Sequence, residues 1–244
     1  MAEIIELKNV SFSVQDQNIV KNFSLCFEEG KSIALIGPSG SGKSTVLKIA
    51  AGILVPSEGD VFFKGRDIYV MNRKENLDFR RKAAFVFQDS ALWSNQNLNQ
   101  ILELPLKIHF PLMSINDINT RVSEVLSEVG YKRELGIRPS LLSMGEQKLI
   151  AFARAIICKP QLLFLDEWTE SLDETASHRL MHLVKRHQKE EKSVIFVSHD
   201  FRIVRDLADH IIMIKNGELF YSLTRQQLDE DESLARHIEE GIAS

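Results

Sequence analysis

The stretch SIALIGPSGSGKSTVLKIAAG, residues 32–52, constrains this chain more than any other. SIALI, 32–36, reads as a short strand buried on both faces, and STVLKIAAG, 44–52, as a helix that stops near Gly52. Between them GPSGSGKS, Gly37 to Ser44, fits G-x-x-x-x-G-K-[ST] at every fixed position. Glycines let the backbone curl until its N–H groups point inward at phosphate oxygens, and the helix N-terminus adds partial positive charge. Lys43 brings a full charge toward β- and γ-phosphates, while the Ser44 hydroxyl can ligate Mg²⁺. A strand–loop–helix unit of this kind predicts an α/β domain built around a phosphate cradle.

The rest of the sequence agrees with that class. Residues 4–14 and 19–27 alternate apolar and polar side chains, as half-buried antiparallel strands do. AAFVF (83–87), LLFL (162–165) and SVIFV (193–197) are further buried-strand candidates. ETASHRLMHLVKRHQ, 174–188, puts Leu180, Leu183, Val184 and His187 on one helical face. Strands alternating with helices predict a largely parallel core sheet, with antiparallel strands at the N-terminus. From about 90 to 140 the character changes: NLNQILELPLKI and INTRVSEVLSEVG look helical with no buried strand between them. The expected organisation is an α/β core over 1–89 and 141–228, an inserted helical subdomain over 90–140, and a short helical extension over 229–244. DEDE, 229–232, reads as a solvated turn.

Four polar residues each follow a buried strand: Lys43, Gln88, Asp166 and His199. Open parallel sheets bind ligands outside the carboxyl ends of their strands, so these side chains converge if the strands share a sheet. Asp166 is then placed to hold Mg²⁺ through its water shell, and Glu167 to orient and deprotonate an attacking water. The implied reaction is ATP hydrolysis at a Mg²⁺ site. Further along, LLSMGEQK (141–148) carries Ser143 and Glu146 at capping-box spacing, a helix start that also offers anion-binding groups.

Composition limits the alternatives. The chain has 244 residues, enough for one elaborated domain or two modest ones. Its net charge of −4 offers no footprint for nucleic acid, and the cluster Arg80, Arg81, Lys82 reads as a solvated face. Cys26 and Cys158, both in apolar sequence, read as reduced core residues. MAEIIELKNV lacks the features of a signal peptide, and no apolar run approaches the ~20 residues needed to cross a bilayer. Any connection to a membrane is expected to run through another polypeptide.

Taken in order, GPSGSGKST, Gln88, LSMGEQ, LLFLDE, ESLD (170–173) and SHD (198–200) resemble the Walker A loop, Q-loop, signature, Walker B, D-loop and H-loop of ABC-type ATPases. The resemblance covers essentially the whole chain. It implies that ATP lies along Gly37, Pro38, Ser39, Gly40, Ser41, Gly42, Lys43, Ser44 and Thr45, with Mg²⁺ held by Ser44, Gln88 and Asp166. Glu167, His199, Lys43 and Gln88 would be catalytic. Such domains pair head to tail, so Ser143 and Gly145 would cap the γ-phosphate held by a second nucleotide-binding subunit, a homodimer partner, and Asp173 would reach across. Four positions depart from the family pattern. Met144 replaces the signature's first glycine, Leu149 an arginine, Trp168 a proline, and Val14 the aromatic that stacks on adenine, with Phe12 two residues earlier on the same strand face. Lys43, Asp166, Glu167 and His199 are intact, so a competent site is expected.

FVFQDSALWSNQNLNQILELPL (85–106) and SLARHIEEGI (233–242) look like segments of the Mce-associated, Mla-type phospholipid-transport ATPases. That resemblance implies a transmembrane permease subunit, an Mce-domain lipid-binding protein, and a cytoplasmic position against the inner face of the cell membrane. Trp93 would either anchor the permease contact or pack inside the helical subdomain. Solute importers, lipoprotein-release and FtsE-like ATPases remain open readings, as does a hydrolysis-poor regulatory subunit suggested by Met144. A soluble ABC ATPase acting on DNA or ribosomes would carry tandem cassettes or a long coiled coil, and this chain has neither. His178 and His182, one helical turn apart, read as a solvated face and not a zinc site.

Overall fold

The computed structural model describes residues 2–230. In chain order, its elements begin with β1 (Glu3–Val14), β2 (Gln17–Glu28), β3 (Ser32–Ile36), α1 (Lys43–Ala50), β4 (Glu58–Phe63) and β5 (Arg66–Asp67). Next come α2 (Arg73–Lys82), β6 (Ala83–Val86), α3 (Leu98–His109), α4 (Ile115–Val129), a 3-10 turn (Pro139–Leu141) and α5 (Met144–Ile156). The last are β7 (Leu162–Asp166), α6 (Glu174–Lys189), β8 (Ser193–Val197), α7 (Phe201–Leu207), β9 (His210–Lys215), β10 (Glu218–Thr224) and α8 (Arg225–Glu230). The chain forms two compact units; among the described residues one comprises 2–76 with 188–230, the other 77–187.

In the first unit β2, β1, β4 and β5 form an antiparallel sheet in that order. Ile5, Leu7, Val10, Phe23, Phe27 and Val61 fill its inner face, as alternation along half-buried strands requires. β3 runs parallel to both β8 and β9, and β10 returns antiparallel beside β9. Every residue of β3 and β8 is buried, which explains their unbroken apolar runs. The turn between β9 and β10 uses Asn216 and Gly217 at φ of 54° and 81°, the left-handed pair a tight hairpin needs.

In the second unit β6 and β7 pair in parallel, and β7 is buried along its whole length. α3, α4 and α5 provide the helical part of this unit. Asn97 and Gln100 cap α3 reciprocally, Ser114 caps α4 through the Asp117 N–H, and Gly130 ends α4 in the left-handed region. Arg121 of α4 donates to Ile156 O and Ile157 O at 3.1 and 2.9 Å, satisfying carbonyls left over at the end of α5. Leu180, Val184 and His187 form the buried stripe of α6.

The α/β fold with N-terminal antiparallel strands and a helical portion is therefore the one expected. Three local expectations need revision. Cys26 is exposed and Cys158 half-buried, so neither is a core residue. Cys26 falls between Leu25 and Phe27 on the outward face of β2, where period-2 alternation overrides apolar neighbours. Of the DEDE stretch, Asp229 and Glu230 close α8 instead of forming a turn, and Asp231 and Glu232 lie outside the described residues. The proposed helix over 233–242 lies outside the described residues. The basic cluster behaves as expected: Arg81 and Lys82 pair with Asp78 on α2 at 2.7 and 2.6 Å. Among the described residues no helix is long and apolar enough to cross a membrane.

Candidate active site

In the first unit the glycine-rich loop connects β3 to α1 and is wedged against its neighbours. Gly37 has φ 139°, and a Cβ there would stand 2.1 Å from Ile214 O. At Gly42, with φ 99°, a Cβ would stand 2.9 Å from Ile19 O. Only glycine lets the backbone take this path. Lys43 is buried and its ammonium donates to Gly37 O at 2.8 Å and Pro38 O at 2.7 Å, inside the curl of its own loop. The Ser41 hydroxyl is buried with no hydrogen-bond partner among the described residues. Lys43, Ser44 and Thr45 open α1, whose N-cap is Gly42; that helix start has neither a side-chain cap nor an acidic residue in its first turn. Its amides and the ammonium supply positive charge that nothing in the first turn opposes, so a phosphate group fits the cradle. Ser39 and Gly40 form the exposed tip, where a Cβ on Gly40 would meet nothing within 4 Å.

β3 and β8 are paired in parallel through Leu35 and Val197, so the loop and His199 leave the carboxyl ends of adjacent strands. His199 is exposed, and the next residue caps α7: the Asp200 carboxylate accepts from Arg202 N at 2.9 Å. The Arg202 guanidinium, paired with it at 2.7 Å, holds the Asp200 carboxyl below its ordinary value. Val14 ends β1 at 46% exposure. The register shift beside Phe12 and Ser13 places its extra residue, Ile19, on β2.

The second unit repeats the arrangement. β6 and β7 are paired in parallel through Val86 and Leu165, so Gln88 and the pair Asp166–Glu167 also leave adjacent carboxyl ends. Asp166 is fully buried at the end of β7. Glu167 has φ 44°, in the left-handed region that a glutamate adopts only under constraint, and is 9% exposed. Gln88 is exposed, and its side-chain amide donates to Glu170 Oε2 at 3.1 Å.

Ser143 caps α5 as its spacing implied. Its hydroxyl accepts from Glu146 N at 3.2 Å, and Glu146 Oε2 accepts from Ser143 N at 2.9 Å. Arg133 adds a salt bridge to Glu146 at 3.0 Å. The Ser143 N–H, followed by Arg133, keeps the Glu146 carboxyl below its ordinary value. Met144 projects outward with 71% exposure, so the departure from glycine costs this unit no packing. Gly145 is different: a Cβ there would stand 2.9 Å from Ser171 O. Asp173 accepts from Ala176 N at 2.7 Å at the start of α6. Trp168 is fully buried with its ring 5.8 Å from that of Phe152, a core role for the residue in the proline position.

Sequence reasoning missed three residues here. Lys148, Glu170 and Arg154 all engage the segment after β6. Lys148 donates to Phe87 O, Gln88 O and Glu167 O. Burial pushes its ammonium below the usual lysine range, against the opposing pull of Glu170, Asp166, Asp89 and Glu167. Arg154 donates to Ser90 O and Ala91 O at 3.1 and 2.7 Å and lies over the Trp93 ring, 5.4 Å from its centroid. Burial brings the Arg154 guanidinium down to about 10, still charged at neutral pH. The available signal was a lysine at the start of the stretch KLIAFARAI and an arginine inside it, where a charge among apolar residues has to find partners. Trp93 thus has a partner in α5 yet remains 44% exposed. His178 and His182 are both exposed, and no third metal ligand joins them among the described residues.

Comparisons with known proteins agree with this geometry. Residues 20–170 match the family model described as "ABC transporter". The uncharacterized ABC transporter ATP-binding protein YejF of Escherichia coli is 38% identical over 217 residues, spanning 87% of this chain but 41% of that protein. The intermembrane phospholipid transport system ATP-binding protein MlaF of Haemophilus influenzae is 32% identical over 232 residues, covering 95% of this chain and 88% of that one. Among solved structures, the dimeric post-hydrolysis state of the ATP-binding cassette MJ0796, bound to ADP and Pi, superposes with a TM-score of 0.84 at 30% identity. That match covers 91% of this chain and 99% of the cassette. This chain belongs to the ABC transporter family, as an ATP-binding, ATP-hydrolysing subunit that powers a transporter.

Proposed function

We propose that the chain is the Mg²⁺-dependent ATPase of a phospholipid-transport system of the Mla type, working as a homodimer beneath a transmembrane permease and beside an Mce-domain lipid-binding protein. One observation carries the enzymatic part. In each unit two parallel strands end side by side, delivering the phosphate loop and His199 in one, Gln88 and Asp166–Glu167 in the other. Lys43 and the loop amides from Gly37 to Thr45 bind the phosphates, while Ser44, Gln88 and Asp166 ligate Mg²⁺, which neutralises phosphate charge. Glu167 orients and deprotonates the water, and His199 contacts the γ-phosphate. Ser143 and Gly145 complete the site of a second copy, with Asp173 reaching across. Val14 lies against the base as a small apolar contact. The helical part over 90–140 links Gln88 to the permease through Trp93, whose half-exposed ring suits an anchor. The α/β core is 1–89 with 141–228. The protein sits on the cytoplasmic side of the membrane, held there by the permease.

The lipid reading is supported by the stretch 85–106 and by the relative named for phospholipid transport. Steady-state ATPase assays of the parent and Glu167→Gln, with Mg²⁺ and with excess EDTA, test the enzyme. Turnover requires the metal, and the variant binds ATP without turnover and accumulates as a dimer. Unchanged turnover in the variant refutes the role given to Glu167. Co-purification of an Mce-domain protein and a permease supports the lipid system; a solute-binding protein in their place overturns it.

A further inference from the structure

Lys148 lies within α5 and is only 2% exposed. Its ammonium donates to three main-chain carbonyls: Phe87 O and Glu167 O, each at 3.4 Å, and Gln88 O at a shorter contact. Two of these carbonyls follow β6 and the third follows β7. Adjoining bonds close a ring around them. Glu170 N donates to Glu167 O at 3.2 Å, and Gln88 Nε2 donates to Glu170 Oε2 at 3.1 Å. Farther along α5, Arg154 holds Ser90 O and Ala91 O, residues at φ of 63° and 43°.

An ammonium offers three donors on a compact charge, so one buried lysine can tie several carbonyls together, here alongside the Ser90 and Glu170 N–H groups that donate to Phe87 O and Glu167 O. The carbonyls it gathers belong to the two residues whose side chains carry the proposed chemistry, and to a direct neighbour of one of them. Glu167 has left-handed backbone geometry, so its main chain needs an external hold.

We propose that Lys148 is a positioning residue for ATP hydrolysis: it ties the backbones of Gln88 and Glu167 to one buried point and so sets the reach of both side chains. This rests on the roles proposed above for those two residues. Lys148 acts through the carbonyls.

The test is steady-state ATPase kinetics of the whole chain and its Lys148→Met variant, with ATP titrated at saturating Mg²⁺. Fluorescent-ATP binding and the thermal midpoint are read in parallel. Misplacing a catalytic group lowers the rate by up to about 100-fold; kcat is expected to fall by a large part of that while KM and nucleotide affinity hold. An unchanged kcat overturns the proposal, as does a fall in kcat matched by an equal loss of nucleotide affinity. If Lys148→Met does not fold, Lys148→Gln, which keeps amide donors, is read by the same two outcomes. Glu167→Gln runs alongside. Full turnover in that variant removes the reading of Glu167, whereas its loss together with an unaffected Lys148→Met removes only the present proposal.

Discussion

A methyl group added to Gly145 would lie 2.9 Å from the carbonyl oxygen of Ser171, closer than real Cβ contacts come. The first turn of α5 and the loop ahead of α6 therefore approach each other at a point where no side chain fits. Beside it, Met144 points away into solvent. Of the two positions that are usually glycine in this family's signature, this fold needs glycine only at the second.

Gly145→Ala is accordingly expected to cost about 1–3 kcal/mol, the range for overpacking a tight contact. Met144→Gly should change stability by less than about 1 kcal/mol, since only helix propensity is altered. Urea titrations of the two variants beside the parent check the contrast. Equal destabilisation would contradict the steric account.

Substitutions at Ser143 separate its capping bond from the phosphate contact proposed for it. Aspartate caps a helix as well as serine does, so Ser143→Asp should unfold within about 0.5 kcal/mol of the parent, whereas Ser143→Ala should lose about 1 kcal/mol. Turnover is expected to order them differently. In the pairing proposed above, an aspartate carboxylate would face the γ-phosphate of the second copy, where like charges repel, and abolish hydrolysis in a protein of normal stability. Parallel ATPase and denaturation measurements on both variants check it.

Glu146 contributes a defined acid dependence. Its carboxyl is held below the ordinary value of 4.5 by the Ser143 N–H and Arg133, so the unfolded chain binds this proton more tightly than the folded one. The stabilisation is complete above about pH 4.5, the unfolded value, and is lost as pH falls through the lower folded value. Glu146→Gln should flatten that part of the stability profile and leave the region above it parallel to the parent. Denaturant midpoints collected between pH 3 and 7 (about the range that brackets a carboxylate) reveal the difference.

Cys26 should be slow to alkylate despite its exposure. Partial burial, with Glu3 and Glu6 alongside, pushes its thiol up to about 11, and only the thiolate reacts. Glu3→Gln is expected to accelerate iodoacetamide labelling at neutral pH, because it removes the hydrogen-bonding carboxylate and its charge. Mass spectrometry of labelled time courses checks the ratio.

These features were unequally legible in the sequence. The phosphate loop was readable because each demand on it is local: a buried strand, glycines where the backbone curls, a lysine, a helix start. The placement of Gln88, Asp166 and His199 beside strand ends was readable because apolar runs mark the strands that precede them. The bonds of Lys148 were not, because the carbonyls it reaches lie sixty residues earlier in one case and nineteen later in another, and no pattern in α5 announces them. Cys26 was misjudged because apolar neighbours in sequence were weighed above the alternation of the strand that holds it.

The backbone of Glu167 has a further consequence. Glycine, or failing that asparagine, would occupy a φ of 44° with less discomfort than glutamate does. A position chosen for ease of folding would carry one of those residues. On the role proposed for Glu167, a long acidic side chain stands there at the expense of conformational comfort, and a Glu167→Gly protein should be the sturdier and the idler of the two.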